Sequence, residues 1–274
     1  RPLRGLGRFC VSAGGKWAVL AFFAAITLWS VYWYQFLTVG DSRPGSPLLW
    51  PDSNYNVSVR HINEKFQGTD HLYVIVQGKT ENAMKSPEVL ETLEAFQRHM
   101  LRSPHVGGTD SLVDLTRQVN TVLHNNDPRW GLLPQTADDV GGVLMIAEHG
   151  SEPGDFDRWV NYNFQNGRVT VFLYDHKGDT IREVMGMAKE FIAANPMSEA
   201  EFRLASGPVG VLAAANEVIA RSDKLTLGLM LLAQLVFCAL GFRSLIAGLL
   251  FVGVVLLSNT FGMALMAYWN IGLN

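Results

Sequence analysis

Residues 208–224 read Pro-Val-Gly-Val-Leu-Ala-Ala-Ala-Asn-Glu-Val-Ile-Ala-Arg-Ser-Asp-Lys. Residues 225–241 follow as Leu-Thr-Leu-Gly-Leu-Met-Leu-Leu-Ala-Gln-Leu-Val-Phe-Cys-Ala-Leu-Gly, and then come Phe242-Arg243-Ser244. Residues 245–269 complete the stretch as Leu-Ile-Ala-Gly-Leu-Leu-Phe-Val-Gly-Val-Val-Leu-Leu-Ser-Asn-Thr-Phe-Gly-Met-Ala-Leu-Met-Ala-Tyr-Trp. Two apolar blocks flank one arginine, and neither block holds Asp, Glu, Lys, Arg or His. Their lengths, about 17 and about 25 residues, bracket the roughly 20 helical residues that cross a bilayer core. The stretch therefore predicts a transmembrane hairpin with residues 223–241 and 245–269 in the membrane. The turn at 242–244 is too short to hold a domain.

The first helix of the hairpin is expected to start outside the membrane. Gly207-Pro208 is a helix-start signal, because proline is pre-organised for the first helical turn. A helix over 208–240 would run about 50 Å at roughly 1.5 Å per residue, longer than the bilayer is thick. The favoured reading is one rigid rod. The alternative is a break near Ser222-Asp223, where Ser and Asp suit an N-cap.

Working outward, the 274 residues carry a net charge of -3, with 48% hydrophobic and 17% charged residues. The acidic residues lie between Gly40 and Lys224, and none precedes Asp41. The chain is thus a polar middle between two apolar ends. The acidic balance and the lack of a basic aromatic patch argue against a nucleic-acid binder. The two cysteines are Cys10 and Cys238, so the polar middle has no disulfide framework. The chain starts without methionine and stops just after an apolar run, which predicts a portion of a longer protein.

Residues 1–16 carry Arg1, Arg4, Arg8 and Lys16, and residues 17–39 follow without charge. Trp29, Tyr32, Trp33 and Tyr34 crowd the far end, as an interfacial aromatic belt does. A signal peptide is the competing reading, but its apolar core runs only about 7–15 residues before a small-residue cleavage site. A retained transmembrane helix is preferred. The positive-inside rule then puts 1–16 in the cytoplasm, 40–222 outside, Arg243 inside as a cytoplasmic anchor, and 270–274 on the outer face.

The Pro-, Ser- and Asn-rich residues 40–56 read as an extended linker, and 57–67 as a short amphipathic helix with Val59, Ile62 and Phe66 on one side. Residues 71–78 are strand-like. Ser86-Pro87-Glu88 caps a helix to about Arg102, with Val89, Leu93, Phe96 and Met100 at helical spacing. An insert at 103–157 is expected to hold two helices, one opened by Thr109-Asp110-Ser111 and one by Thr136. Residues 158–165 alternate as a strand, Asn166-Gly167 signals a hairpin, and 168–174 forms its partner. Asp179 caps a helix through Ala194, and 201–205 is a last strand. The resulting β-α-β-β-α-β order is the split, ferredoxin-like pattern of an α+β domain.

Catalytic signals are sparse. The seven histidines are scattered without metal-ligand spacing, and no nucleophile elbow or phosphate loop occurs. Asp138-Asp139 fits the first turn of a helix better than a catalytic pair. The sequence predicts no catalytic residue, metal or cofactor, and a protein that is not an enzyme. Gln234 and Asn259, with Ser258 and Thr260, are the strongly polar side chains deep in the second and third apolar helices; they read as interhelical glue or as groups facing a missing relay. Gly248, Gly253 and Gly262 predict close helix contacts. Trp130, with Leu132 and Leu133, is either a loop anchor or part of a ligand path. Trp33, Tyr34, Trp50, Tyr268 and Trp269 are candidates for a substrate path from the outer leaflet, with interfacial anchoring as the alternative.

Gly207-Pro208-Val209, Arg221-Ser-Asp-Lys224, Leu240-Gly-Phe-Arg-Ser244 and the Gly-rich run from Leu245, set in this order of elements, resemble the first half of a resistance–nodulation–division (RND) transporter. The nearest branch is the hydrophobe-exporting one that includes the mycobacterial membrane protein large family. The order of elements covers nearly the whole chain, while the individual motifs are short. The resemblance implies a proton-driven inner-membrane exporter of lipids or amphiphiles, with an extracytoplasmic porter domain. It also implies a second half, whether the remainder of its own chain or another subunit, membrane lipid as a partner, and a homo-oligomer as an option. The family's acidic relay lies on a fourth helix, so no residue here is assigned to it. A membrane scaffold that binds a partner through its outer domain, or a protein-export relative, is the competing class.

Overall fold

The computed structural model describes residues 12–273, so Arg1, Arg4, Arg8, Cys10 and Asn274 lie outside the described residues. The chain divides into two compact units, residues 43–215 and residues 1–42 with 216–274.

The first unit is mixed α+β. Its elements are α2 (Asn54–Lys65), β1 (Asp70–Gly78), α3 (Pro87–Met100), β2 (Val106–Asp110), α4 (Leu112–Leu123), α5 (Ala137–His149), β3 (Asn166–Leu173), α6 (Gly178–Ala194) and β4 (Ala200–Ser206). The strands form one sheet in the order β2-β3-β1-β4, and every neighbouring pair is antiparallel. In β1 the even positions Leu72, Val74 and Val76 are fully buried. They sit across from Val171, Val169 and Gly167 of β3. Period-2 alternation therefore puts one face of the sheet in the core. That face meets Val89, Leu90, Leu93, Phe96 and Met100 of α3 and Ile181, Val184 and Ala188 of α6. Phe96, Phe191 and Phe202 form an aromatic centre with ring separations of 5.2 to 6.4 Å. The other face carries His71, Tyr73 and Ile75 across from Phe172, Thr170 and Arg168.

Two expectations fail here. Residues 158–165 are turns, with a single isolated bridge from Val160 to Gly167, and the strand beside β3 is Val-Gly-Gly-Thr-Asp at 106–110. The alternation of 156–164 arises because Val160 and Phe164 are buried, with Phe156 packed against the core, and not from a ladder. Asn166-Gly167 is no hairpin, because both residues lie within β3, opposite Gln77 and Val76. Gly167 answers a close approach: a Cβ there would sit 2.6 Å from the Met84 sulfur. The insert at 103–157 accordingly holds β2 as well as the helices α4 and α5.

Residues 43–53 are also more ordered than an extended linker. The Asn56 side chain, 6% exposed, accepts from the Ser46 N–H at 2.8 Å and donates to the carbonyls of Ser46, Leu49 and Trp50. One buried amide thus ties together Ser46, Leu49 and Trp50 of this loop.

The second unit is helical. It contains α1 (Ala13–Tyr34), α8 (Leu245–Tyr268) and the greater part of α7 (Gly207–Phe242). All three helices are long and apolar enough to cross a membrane. Ser12 caps α1 by accepting from the Gly15 N–H. Helix α7 opens at Gly207, whose φ of +78° is left-handed, and a Cβ there would lie 2.6 Å from the Tyr73 ring. Its 36 residues are assigned as one helix without a break at Ser222-Asp223.

Helix α7 ends in a paired-bond cap. Arg243 takes φ +49°, its N–H donates to Leu240 O at 3.3 Å, and the Ser244 N–H donates to Ala239 O at 3.1 Å. These are the two bonds of a Schellman motif with Arg243 at the left-handed position. Ser244 then caps α8, its Oγ accepting from the Ala247 N–H. Of the three α8 glycines expected to permit close contacts, only Gly248 does so among the described residues. A Cβ there would meet Leu235 Cδ1 and O at 3.1 Å, whereas Gly253 and Gly262 face open space. Helix α1 packs along α8. The segments beyond their ends also join, with Gly40 N donating to Leu273 O, Leu273 N to Thr38 O, and Ser42 Oγ to Asn270 O.

Candidate functional site

The mixed unit carries a groove of about 770 Å³ bordered by α3, α4, α5 and the loop between α4 and α5. Its construction starts at Ser111. The Ser111 side chain accepts from the Val113 N–H, and Asp114 Oδ2 accepts from the Ser111 N–H at 2.9 Å, forming a capping box. Gln97 of α3 reads both groups. Its Nε2 donates to Asp114 at 2.6 Å and its Oε1 accepts from the Ser111 hydroxyl at 3.0 Å. Gln97 is 5% exposed, so this polar network fixes α4 against α3 from inside.

One turn further along, Asn120 holds the wall. Its Nδ2 donates to the carbonyls of Trp130 and Leu132, at 3.0 and 3.1 Å. The loop is tightened by Asp127, whose carboxylate accepts from the Arg129 N–H, Nε and Nη2. Those Arg129 bonds hold the Asp127 carboxyl below the usual carboxylate range and raise Arg129 above its own. The result presents Trp130 on the groove. The indole stacks on His124 with ring centres 3.7 Å apart and planes 5° apart. The His124 Nδ1 lies 2.8 Å from Asn120 O. On the facing side Thr136 caps α5, exchanging bonds with Asp139.

The lining combines apolar and charged side chains. Leu123, Trp130, Leu132, Val143 and Ile146 provide the apolar surface. Glu91, Glu94, Asp138 and Asp139 are the carboxylates, and Arg117 pairs with Glu94. Among the described residues, no group of three or more His, Cys, Asp or Glu side chains is arranged to hold a metal ion.

The structure distributes the other candidate residues as follows. In the helical unit Trp33 and Tyr268 meet edge-to-face at 5.1 Å, and both join Trp29, which also contacts Phe261. Trp269 is exposed at the edge of this cluster, its ring 6.5 Å from that of Tyr268, Tyr34 is exposed, and Trp50 is 82% exposed in the mixed unit. Trp130 lies on the groove and belongs to neither set. Gln234 and Asn259 are partly exposed, and neither makes a side-chain hydrogen bond among the described residues. Thr260 donates to Leu256 O of its own helix, so it is not interhelical glue. Arg243 is exposed at the turn.

Sequence reasoning missed the roles of His124, Asn120 and Gln97, and it placed Trp29 in the aromatic belt without naming it among the candidate path residues, although the Trp29–Trp33 spacing of one helical turn was a usable signal. Ser30 was also missed. It is fully buried within α1, and its hydroxyl has no partner among the described residues. No protein-family model matches the chain, and no curated protein matches it.

Proposed function

We infer that the chain is part of an RND-type exporter in the bacterial inner membrane, using a proton gradient to move hydrophobic or amphiphilic compounds outward. One observation carries the reading: an antiparallel sheet in the order β2-β3-β1-β4, with α3 and α6 on one face, precedes the two long helices α7 and α8, whose runs 225–241 and 245–269 carry no charge and flank Arg243. The strand order and the helices between the strands support reading the mixed unit as a ferredoxin-like module with a helical insert between its second and third strands. The N-terminal basic residues and Arg243 favour a cytoplasmic N-terminus and an extracytoplasmic module. The aromatic cluster of Trp29, Trp33 and Tyr268 then falls at the outer interface, where such rings anchor a helix.

In this reading α7 is the lever. A helix that runs from the end of β4 into the bilayer converts a tilt among membrane helices into displacement of the module. Protonation elsewhere in the transporter biases the two positions by binding one more tightly than the other. The test uses the natural full-length protein in liposomes. A fluorescent amphiphile should leave the membrane when a pH gradient is imposed, and a protonophore should abolish the movement. Movement that is indifferent to the protonophore, or equal to that in protein-free liposomes, overturns the proposal.

A further inference from the structure

The groove on the α3–α4–α5 side of the mixed unit has a charge pattern that the transport reading does not use. Its ionisable groups come from every element that borders it. Glu91 and Glu94 project from α3, Arg117 and His124 from α4, and Asp138 and Asp139 from α5. Arg117 is spent on Glu94. The Asp139 carboxylate accepts from the Thr136 hydroxyl, a neutral partner that leaves its charge in place. Glu91 and Asp138 are exposed. The groove is therefore negative in excess, four carboxylates against one guanidinium.

The apolar side chains beside those carboxylates set the groove apart from an ordinary solvated acidic face. Trp130 is 48% exposed, Leu132 62% and Ile146 50%, and all three line the same cavity. The exposure is not accidental loop disorder. Asn120 binds the carbonyls on both sides of Gly131, and His124 stacks on the indole. Trp130 and Leu132 are thus held out against the hydrophobic effect by a satisfied polar scaffold. An apolar, aromatic-walled hollow of about 770 Å³ is within the size range of small-molecule pockets. Carboxylates around an indole complement a poorly hydrated positive charge, through Coulomb attraction and the ring quadrupole together. An anion or a neutral lipid gains nothing from these carboxylates.

We propose that this groove binds lipophilic organic cations, with Trp130 and Leu132 taking the apolar body and Glu91, Asp138 and Asp139 the charge. The site does not depend on transport, because it lies within one unit and requires no gradient.

The probe is tetraphenylphosphonium, compared with its neutral near-isostere triphenylphosphine oxide. Binding is measured by equilibrium dialysis against the full chain in lipid nanodiscs, with protein-free nanodiscs subtracted. The cation should bind saturably and about tenfold more tightly than the oxide, the factor expected for two or three carboxylates at partial screening. Glu91→Gln with Asp138→Asn should weaken the cation about tenfold and leave the oxide unchanged. Trp130→Ala should weaken both. Both carboxylates are exposed, so the double variant keeps its fold, which an unchanged thermal melt verifies. Raising the salt should weaken the cation alone, a second readout that needs no variant. Equal binding of cation and oxide, or a double variant that binds the cation like the parent, overturns the proposal. Transport failing while this binding persists would count against the exporter reading only.

Discussion

Arg243→Gly should stabilise the helical unit, although it removes the one charge between two apolar helices. Arg243 sits at φ +49°, where an L residue other than glycine carries a steric cost of about 1–2 kcal/mol. Glycine removes that cost but enlarges the conformational freedom of the unfolded chain, worth about 0.4–1 kcal/mol in the opposite direction. The net gain is about 0.5–1 kcal/mol. The Schellman bonds from Arg243 N to Leu240 O and from Ser244 N to Ala239 O use backbone alone, so they survive the change. Arg243→Lys keeps the strain and should melt with the parent, whereas Arg243→Val, β-branched at a left-handed position, should lose about 1–2 kcal/mol. Ser244→Ala provides the scale, since loss of an N-cap hydroxyl costs about 1 kcal/mol. The assay is unfolding of the purified chain in mixed micelles by titrated dodecyl sulfate, followed by far-ultraviolet circular dichroism. A destabilised glycine variant, or a lysine variant equally impaired, would refute the reasoning, because either would mean that the guanidinium itself holds the turn.

Three further changes probe the mixed unit. Asn56→Ala removes the side-chain partner of Ser46 N–H and Leu49 O, while Ser46 O and Trp50 O keep the N–H groups of Leu49 and Ser53, and should cost about 1–3 kcal/mol; hydrogen exchange should rise first in that loop, and unchanged protection would contradict its role. Gly107→Ala puts a Cβ 2.1 Å from Gln67 O and 2.8 Å from the Tyr174 ring, and should lower the melting free energy by about 1–3 kcal/mol while opening the β2–β3 pairing. Asp175 is pushed up by burial, but the Thr180 hydroxyl at 2.6 Å, with the Lys177 side chain and N–H, outweighs this, so its carboxyl titrates below the ordinary aspartate value. A depressed carboxyl contributes stability that is fully present above its unfolded value, about 3.9, and is lost as pH falls through its folded value. Asp175→Asn should therefore lower stability at neutral pH and flatten its decline in acid; an unchanged acid limb in unfolding titrations would rule this out.

What the sequence disclosed depended on where each residue's reason for being there lies. Val89, Leu93, Phe96 and Met100 announce α3 because their spacing reflects the helix they build, and all four are buried. Strand β2 announces nothing. Its Gly107 and Gly108 weaken any strand propensity, yet both exist because Gln67 crosses them at distances a Cβ would violate. The opposite error occurs at 158–165, where alternation is real but one bridge, with Arg168 N donating to Trp159 O, replaces a ladder, and Trp159 donates to Asp110 while Arg158 covers the indole at 3.8 Å. The groove follows the same division. Trp130 is visible as an aromatic in a loop, but Asn120 and His124 matter through partners that only the folded chain supplies. Glycine spacing in α8 exposes the limit most clearly. Gly248, Gly253 and Gly262 look alike in sequence, and only the first lies against a neighbour, the backbone of Leu235. Periodicity records what a residue does for its own element, whereas a close approach is written in the neighbour. Sequence therefore discloses helices before contacts, and contacts before sites.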